Sequence, residues 1–163
     1  MTDKENILIS LEPHHAKNIY AGTKRVELRR RTMHVATGTV VWIYEKIPVG
    51  SITGSATIKA VYSAPPAQLW QRFGSVSGLT KAEFFEYFSD LTIACALIIE
   101  DAQHLQQPLS LASLKNAMVN FQPPQFFIRL AYAHPVLQAL HARKNVIKKL
   151  LKSQIQPCPL AAA

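Results

Sequence analysis

Gly22-Thr23-Lys24-Arg25-Val26-Glu27-Leu28-Arg29-Arg30-Arg31 is the stretch from which the chain is best read. Gly22 tolerates the positive φ with which a chain leaves a helix. From Arg25 the residues alternate, Val26 and Leu28 to one side and Arg25, Glu27 and Arg29 to the other. The pattern predicts a half-buried strand with one charged face, entered directly from a helix. Lys24 stands at the turn, outside the alternation, so its ammonium is free to point into a cleft. Glu27 follows three residues on, and Arg29 shares its face. A Lys, a carboxylate and an Arg on one rim hold a phosphate or a base edge. The carboxylate can also orient the Lys or accept from a base amine. The bland alternative for the same trio is a structural salt bridge at the edge of a sheet.

Upstream, residues 7–11 form a short apolar run, predicted to be a buried strand. Pro13 opens a helix at its first position, Ala16, Ile19 and Tyr20 supply its apolar stripe, and Gly22 ends it. The adjacent His14 and His15 do not share a helical face, which argues for solvated residues rather than a metal site. Downstream, residues 39–44 are β-branched and aromatic, hence a strand, with Trp42 and Tyr44 on one face. Residues 52–62 predict a long strand, with Gly54 marking a bend or bulge. Pro65 and Pro66 start a helix stopped by Gly74. Thr80 and Glu83 have capping-box spacing at the head of another, with Leu79 and Phe84 as a hydrophobic staple and Phe84, Phe85, Tyr87 and Phe88 as its apolar side. Residues 91–99 predict an apolar strand, 104–109 a further strand, 111–117 a short helix and 126–130 a closing strand. The order β-α-β-β-β-α-α-β-β-α-β, with short turns, implies an α+β fold: a mixed, mostly antiparallel sheet curled into a small barrel with flanking helices.

From Pro135 to Lys152 the apolar residues Val136, Leu137, Leu140, Val146, Ile147, Leu150 and Leu151 fall in one arc, with Lys148, Lys149 and Lys152 opposite. This predicts an appended basic amphipathic helix over residues 132–152, following a domain of residues 1–131, with 153–163 a disordered tail. The helix arc needs a cover. The barrel of the same chain is one candidate; a second copy, through Leu140, Ile147 and Leu151, is another, giving a homodimer.

The 163 residues allow one domain. With 48% apolar and 17% charged residues the chain can build a core. No apolar run reaches the ~18 residues of a membrane span, and the first twenty residues lack a signal-peptide pattern. The expectation is a cytoplasmic protein with no membrane partner. Cys95 and Cys158 have no CxxC partner and are expected to be free thiols, with no metal site and no cofactor. P-loop, GxGxxG, GxSxG and HExxH motifs are absent, so nucleotide hydrolysis, Rossmann chemistry and zinc proteolysis have no support. Eighteen Lys and Arg against ten Asp and Glu leave a net charge of +8. The excess is clustered at residues 24–31 and 143–152, as a surface for an anionic partner requires, nucleic acid first.

The Gly22–Lys24–Glu27–Arg29 spacing resembles the GxKxxExR signature of the ASCH superfamily. Ile7-Leu-Ile-Ser10-Leu-Glu-Pro13 resembles that family's first strand and helix start, and Val41-Trp-Ile-Tyr44 its second hydrophobic strand. Ser63-Ala-Pro65-Pro-Ala-Gln-Leu69-Trp70 and Phe84-Phe-Glu-Tyr87-Phe resemble its middle helices, and Pro123-Pro-Gln-Phe126 its closing strand. The resemblance spans about residues 6–130. It implies a PUA-like barrel and an RNA-binding role, with Lys24, Arg25, Arg29, Arg30, Arg31, Lys148, Lys149 and Lys152 as the RNA-binding set. Some members that hydrolyse a modified cytidine carry Thr as nucleophile where this chain has Glu27, and a carboxylate cannot replace that hydroxyl. Two alternatives accompany RNA binding. One is a hydrolase, with a metal-independent ribonuclease favoured over a nucleoside amidohydrolase and Lys24, Glu27 and Tyr44 as catalytic groups. The other is a transcription-associated protein-interaction module.

Overall fold

The structure is a computed structural model and describes residues 4–143. The strands are β1 (Asn6–Leu11), β2 (Val26–Arg29), β3 (Val40–Glu45), β4 (Ser51–Ala64), β5 (Ala94–Ser110) and β6 (Ile128–Arg129). They form one mixed sheet in the order β2-β5-β4-β3-β1-β6, curled into a half-barrel. Only the β1–β3 pair is parallel, Ile7 lying opposite Val41 and Ser10 opposite Tyr44. The helices are α1 (Pro13–Tyr20), α2 (Pro66–Phe73), α3 (Lys81–Tyr87) and α4 (Leu111–Ala117), with α5 over residues 135–143. No helix among the described residues is long and apolar enough to cross a membrane.

Strand alternation sorts the core. Ile7, Ile9, Val41 and Ile43 pack on one face together with Cys95 and Leu97, and α1 adds Ala16 and Ile19 to it. Leu8, Trp42 and Tyr44 point to the other face, where Leu114 of α4 and Val136, Leu137 and Leu140 of α5 cover them. At the far end of the sheet Val26 and Leu28 pack beneath Leu69 of α2 and Phe84 and Phe88 of the α3 region. The apolar arc of α5 is thus buried on its own domain as far as Leu140. The remaining positions of the expected helix, from Lys144 on, lie outside the described residues, as does Cys158. Cys95 is free and buried.

Four expectations need correction. The runs at 91–99 and 104–109 are not two strands: β5 is continuous through Asp101, a non-glycine residue at φ 53°, and three register shifts against β4 absorb the bend. Residues 91–93 precede it and leave Ile93 47% exposed. The closing strand shrinks to two residues, because only Ile128 and Arg129 reach register with β1. Tyr87 does not join the buried side of α3; it remains 39% exposed. Finally, the charged face of β2 is not solvated: Glu27 and Arg29 are each 7% exposed. Their neighbours in register, Leu97 and Cys95, belong to the inner core, so these two charges stand at its edge.

Candidate functional site

The sheet order leaves β2 and β6 as its two ends, unpaired with each other. One side chain spans the seam: Arg29 Nη1 donates to the Phe126 carbonyl, 3.1 Å away, in the segment leading into β6. A cleft of about 420 Å³ opens beside this bridge, lined by residues of β1, α1, β2 and α3 and by Lys46 and Gln125.

Lys24 enters the cleft from the turn between α1 and β2. Gly22, at φ 77°, makes that turn possible. Gly78, at φ 73°, lies against the aliphatic stem of Lys24, where an added Cβ would come within 3.3 Å of it. The ammonium donates to the Ser77 carbonyl at 2.7 Å and stands 3.5 Å from Glu27 Oε2. Arg29 Nη2 stands 3.3 Å from Glu27 Oε1. Lys24, Glu27 and Arg29 therefore form one buried triad, with the carboxylate held between two cations. Burial pushes the Lys24 ammonium below its ordinary range, the Glu27 charge opposes that, and the Arg29 charge adds to it.

Other cleft groups were not legible as site residues. Ser10 Oγ, His15 Nδ1, Arg29 Nε and Arg29 Nη2 are the buried side-chain polar atoms that lack a hydrogen-bond partner among the described residues. Ser10, His15 and Arg29 all line this one cleft. Buried polar atoms are normally paired, so their collection along this one cleft sets it apart among the described residues. His15 is half-buried rather than solvated; burial first, then the Lys24 and His14 charges, lowers its pKa, while Glu27 and Glu12 act the other way. Glu12 is spent on an ion pair with Lys46, 2.8 Å away. Glu83 is spent on the cap of α3, where it accepts from Thr80 N and Thr80 Oγ1. The signal that could have found Ser10 and Lys46 is the parallel β1–β3 pairing, which sets Ser10 beside Tyr44 and the end of β1 beside Lys46.

The remaining expected site residues are spread out. Arg25 is exposed and its Nε donates to Gly22 O at 3.1 Å. Arg30 is held to Asp90 at 2.5 Å and to the Tyr87 carbonyl, and its guanidinium lies 5.9 Å from the Tyr87 ring centre. Arg31 is exposed. Tyr44 is a core residue, 2% exposed, and lines a neighbouring depression rather than the cleft of the triad. The two hollows meet along Ser10, Glu12, Lys46 and Gln125. Burial raises the Tyr44 pKa. Lys148, Lys149 and Lys152 lie outside the described residues. No group of three or more His, Cys, Asp and Glu among the described residues could hold a metal ion.

Residues 6–119 match the family described as Domain of unknown function (DUF365), which covers more than half of the chain. The chain is 37% identical over 123 residues to an ASCH domain-containing ribonuclease of Zymomonas mobilis subsp. mobilis, covering 76% of this chain and 82% of the relative. The chain belongs to the ASCH domain family. A crystal structure of ASCH from Zymomonas mobilis superposes on this ASCH domain with a TM-score of 0.78 at 34% identity, covering 85% of this chain and 96% of that one. Human THYN1 protein, solved in complex with DNA containing 5-methylcytosine, shares the fold at a TM-score of 0.54 and 12% identity, covering 86% and 98% of the two chains. One residue of the ASCH signature, Arg29, bridges the seam of the half-barrel, and Lys24 and Glu27 line the cleft beside it.

Proposed function

We propose that this ASCH domain binds single-stranded RNA, with one group of the strand entering the cleft at the sheet seam and the phosphates running over its basic rim. The observation that carries this reading is the convergence of unpartnered buried polar atoms of Ser10, His15 and Arg29 on one cleft. Arg25, just before β2, and Arg31, two residues after its end, are exposed, and the Zymomonas relative is named a ribonuclease. Arg30 contributes less than its sequence position implied, because Asp90 already holds it. Lys148, Lys149 and Lys152 lie outside the described residues and add to the net positive charge of the chain. The test is the salt dependence of affinity for a short single-stranded RNA. Each neutralised phosphate contributes about −0.7 to the slope of log K against log salt. Replacing Arg25 and Arg31 together by Ala should flatten the slope by about 1.4 and weaken all sequences alike. Absence of binding in the parent chain overturns the reading.

The name of the Zymomonas relative favours one second reading, cleavage of the bound RNA. Lys24 and Glu27, 3.5 Å apart, both line the cleft; Tyr44 lies in the adjoining hollow. Incubation of labelled RNA with parent chain and with Lys24→Met, with magnesium and again with EDTA, tests it. Equal product from both proteins removes Lys24 from the chemistry.

A further inference from the structure

A second cavity, of about 550 Å³, lies between α5, β6 and the first residues of β1 and β3, and it shares no residue with the cleft of the triad. Its wall is apolar: Trp42, Leu130 and Leu137 belong to the core cluster beneath α5, and Val40 packs against them. Three polar side chains of the lining are already satisfied. Asn6 accepts from Trp42 Nε1 at 2.9 Å and donates from Nδ2 to the Lys4 carbonyl at 2.8 Å. Glu5 accepts from Arg129 Nε at 2.7 Å and from Thr39 Oγ1 at 2.8 Å. Arg129 gives a further N–H to the His34 carbonyl. The Glu5 and Arg129 charges therefore cancel within the lining. Three of its other groups have no partner among the described residues: the Lys4 ammonium, the Tyr132 hydroxyl and the His141 imidazole. An apolar hollow of a few hundred Å³ with a small number of converging polar groups is the usual form of a small-molecule site. Here the unspent groups are one cation and two neutral hydrogen-bonding side chains. They complement a molecule with an apolar body and a single negative group. A polyanion is matched poorly, because Lys4 is the one lining charge without an ion-pair partner and the wall beside it is carbon.

We propose that this cavity binds a small amphiphilic carboxylate, its apolar body against Val40, Leu130 and Leu137 and its carboxylate paired with Lys4, with Tyr132 and His141 as further hydrogen-bond donors. The site is independent of the RNA-binding reading, and neither falls with the other.

The experiment titrates the full chain, followed residue by residue in NMR spectra, with octanoate and with octanol, which share a chain length and differ in charge. Octanoate should give saturable shifts centred on Leu130, Tyr132, Leu137 and His141, and should bind about 2- to 5-fold more tightly than octanol, the worth of one exposed ion pair. Lys4 is exposed, so Lys4→Gln should keep the fold and remove that preference while leaving the affinity for octanol unchanged. Ala131→Trp, at an exposed position of the lining, should block both probes. Absence of saturable shifts at millimolar octanoate overturns the site, as do shifts centred on another part of the molecule. Equal affinity for the two probes overturns carboxylate recognition, and a preference retained in Lys4→Gln overturns the role of Lys4. Nuclear Overhauser contacts from residues 144–163 to Leu137 in the probe-free chain would give the cavity to the chain's own C-terminal segment. Signals of Leu130 and Leu137 that move on dilution would give it to a second copy. Either result overturns the small-molecule site. The comparison of the two probes on the parent chain needs no variant, so misfolding of a variant leaves a decisive measurement.

Discussion

Glu27 shows how one side chain serves both fold and site. With two cations on either side of it, deleting the carboxylate strands two charges that are 3% and 7% exposed as whole residues. Removing one member of a buried ion pair commonly costs about 3–5 kcal/mol. Glu27→Ala should therefore lower the urea midpoint strongly; a loss under about 1 kcal/mol would show that Lys24 and Arg29 find other partners. His15 gives a pH signature. Its folded pKa lies below the ordinary histidine value, so between the two the unfolded chain binds more protons. Stability contributed here is present above the ordinary histidine value and lost as pH falls through the folded one. Glu12 and Glu5, both held below the usual carboxylate range, add losses at lower pH. The difference between parent and His15→Asn isolates the histidine: the variant should lose less stability on acidification just below the ordinary histidine range, and superimposable curves would refute it. Lys24, Glu27 and Arg29 were legible because their relation is local, set by one turn and one strand. Ser10, His15 and Gln125 were not, because the seam that gathers them is made by strand order, and short-range periodicity carries no strand order.

At the scale of elements, β4 and β5 form the longest ladder and carry its irregularities. Gly54 sits at one of the register shifts, as its place inside a strand pattern implied. A Cβ there would come within 2.2 Å of the Gln103 carbonyl and 2.6 Å of Tyr20 Oη. Backbone stands in the way, so the crowding has little room to relax. Gly54→Ala should cost about 1–3 kcal/mol or more, measured by chemical denaturation, and unchanged stability would mean the ladder shifts freely. The same crowding explains why Tyr20 closes against β4. Tyr20 Oη lies 2.8 Å from Thr53 Oγ1, which in turn lies 2.7 Å from Glu45 Oε1. Thr53 has one hydroxyl proton and gives it to the carboxylate, so Tyr20 donates to Thr53. Burial holds the Tyr20 pKa up at about 12, so the phenol stays a donor. This chain ties α1 to β4 and β3 and so fixes the helix that carries His15. Thr53→Val should cost about 1.5–3 kcal/mol, the worth of a hydrogen bond to a charged group, and should shift the His15 imidazole resonances in NMR spectra. The sequence pattern marked each of these strands but split β5 in two, since the polar residues from Glu100 to Gln103 read as a break where a bulged strand in fact continues.

At the scale of the whole molecule the issue is where the domain ends. Composition and motif coverage made everything after about residue 131 look appended, because nothing local links α5 to the sheet. The packing is otherwise: Val136, Leu137 and Leu140 are at most 1% exposed and lie in one cluster with Leu8, Trp42, Tyr44 and Leu114. Arg143 fastens the end of the described helix to the strand beneath it, donating from Nη1 to the Pro108 carbonyl at 2.6 Å. Full burial of one such aliphatic side chain is worth about 1.5–3 kcal/mol, and area-based values are upper estimates. Three of them still amount to several kcal/mol, a large part of the roughly 5–15 kcal/mol that holds a domain together. Truncation after Leu130 would also uncover the Trp42 and Tyr44 face of β3. The expected outcome is a chain that fails to fold cooperatively, read as loss of the near-ultraviolet circular dichroism signal and of a thermal transition. Leu140→Ala is the milder version and should cost about 2–5 kcal/mol while preserving the fold. It also separates the two covers considered for this helix. Leu140 is spent inside its own domain, so the variant should lose stability by the same amount at every protein concentration. A loss that grows on dilution would instead mean that a second copy helps to bury the helix, since only an intermolecular contact makes stability depend on protomer concentration.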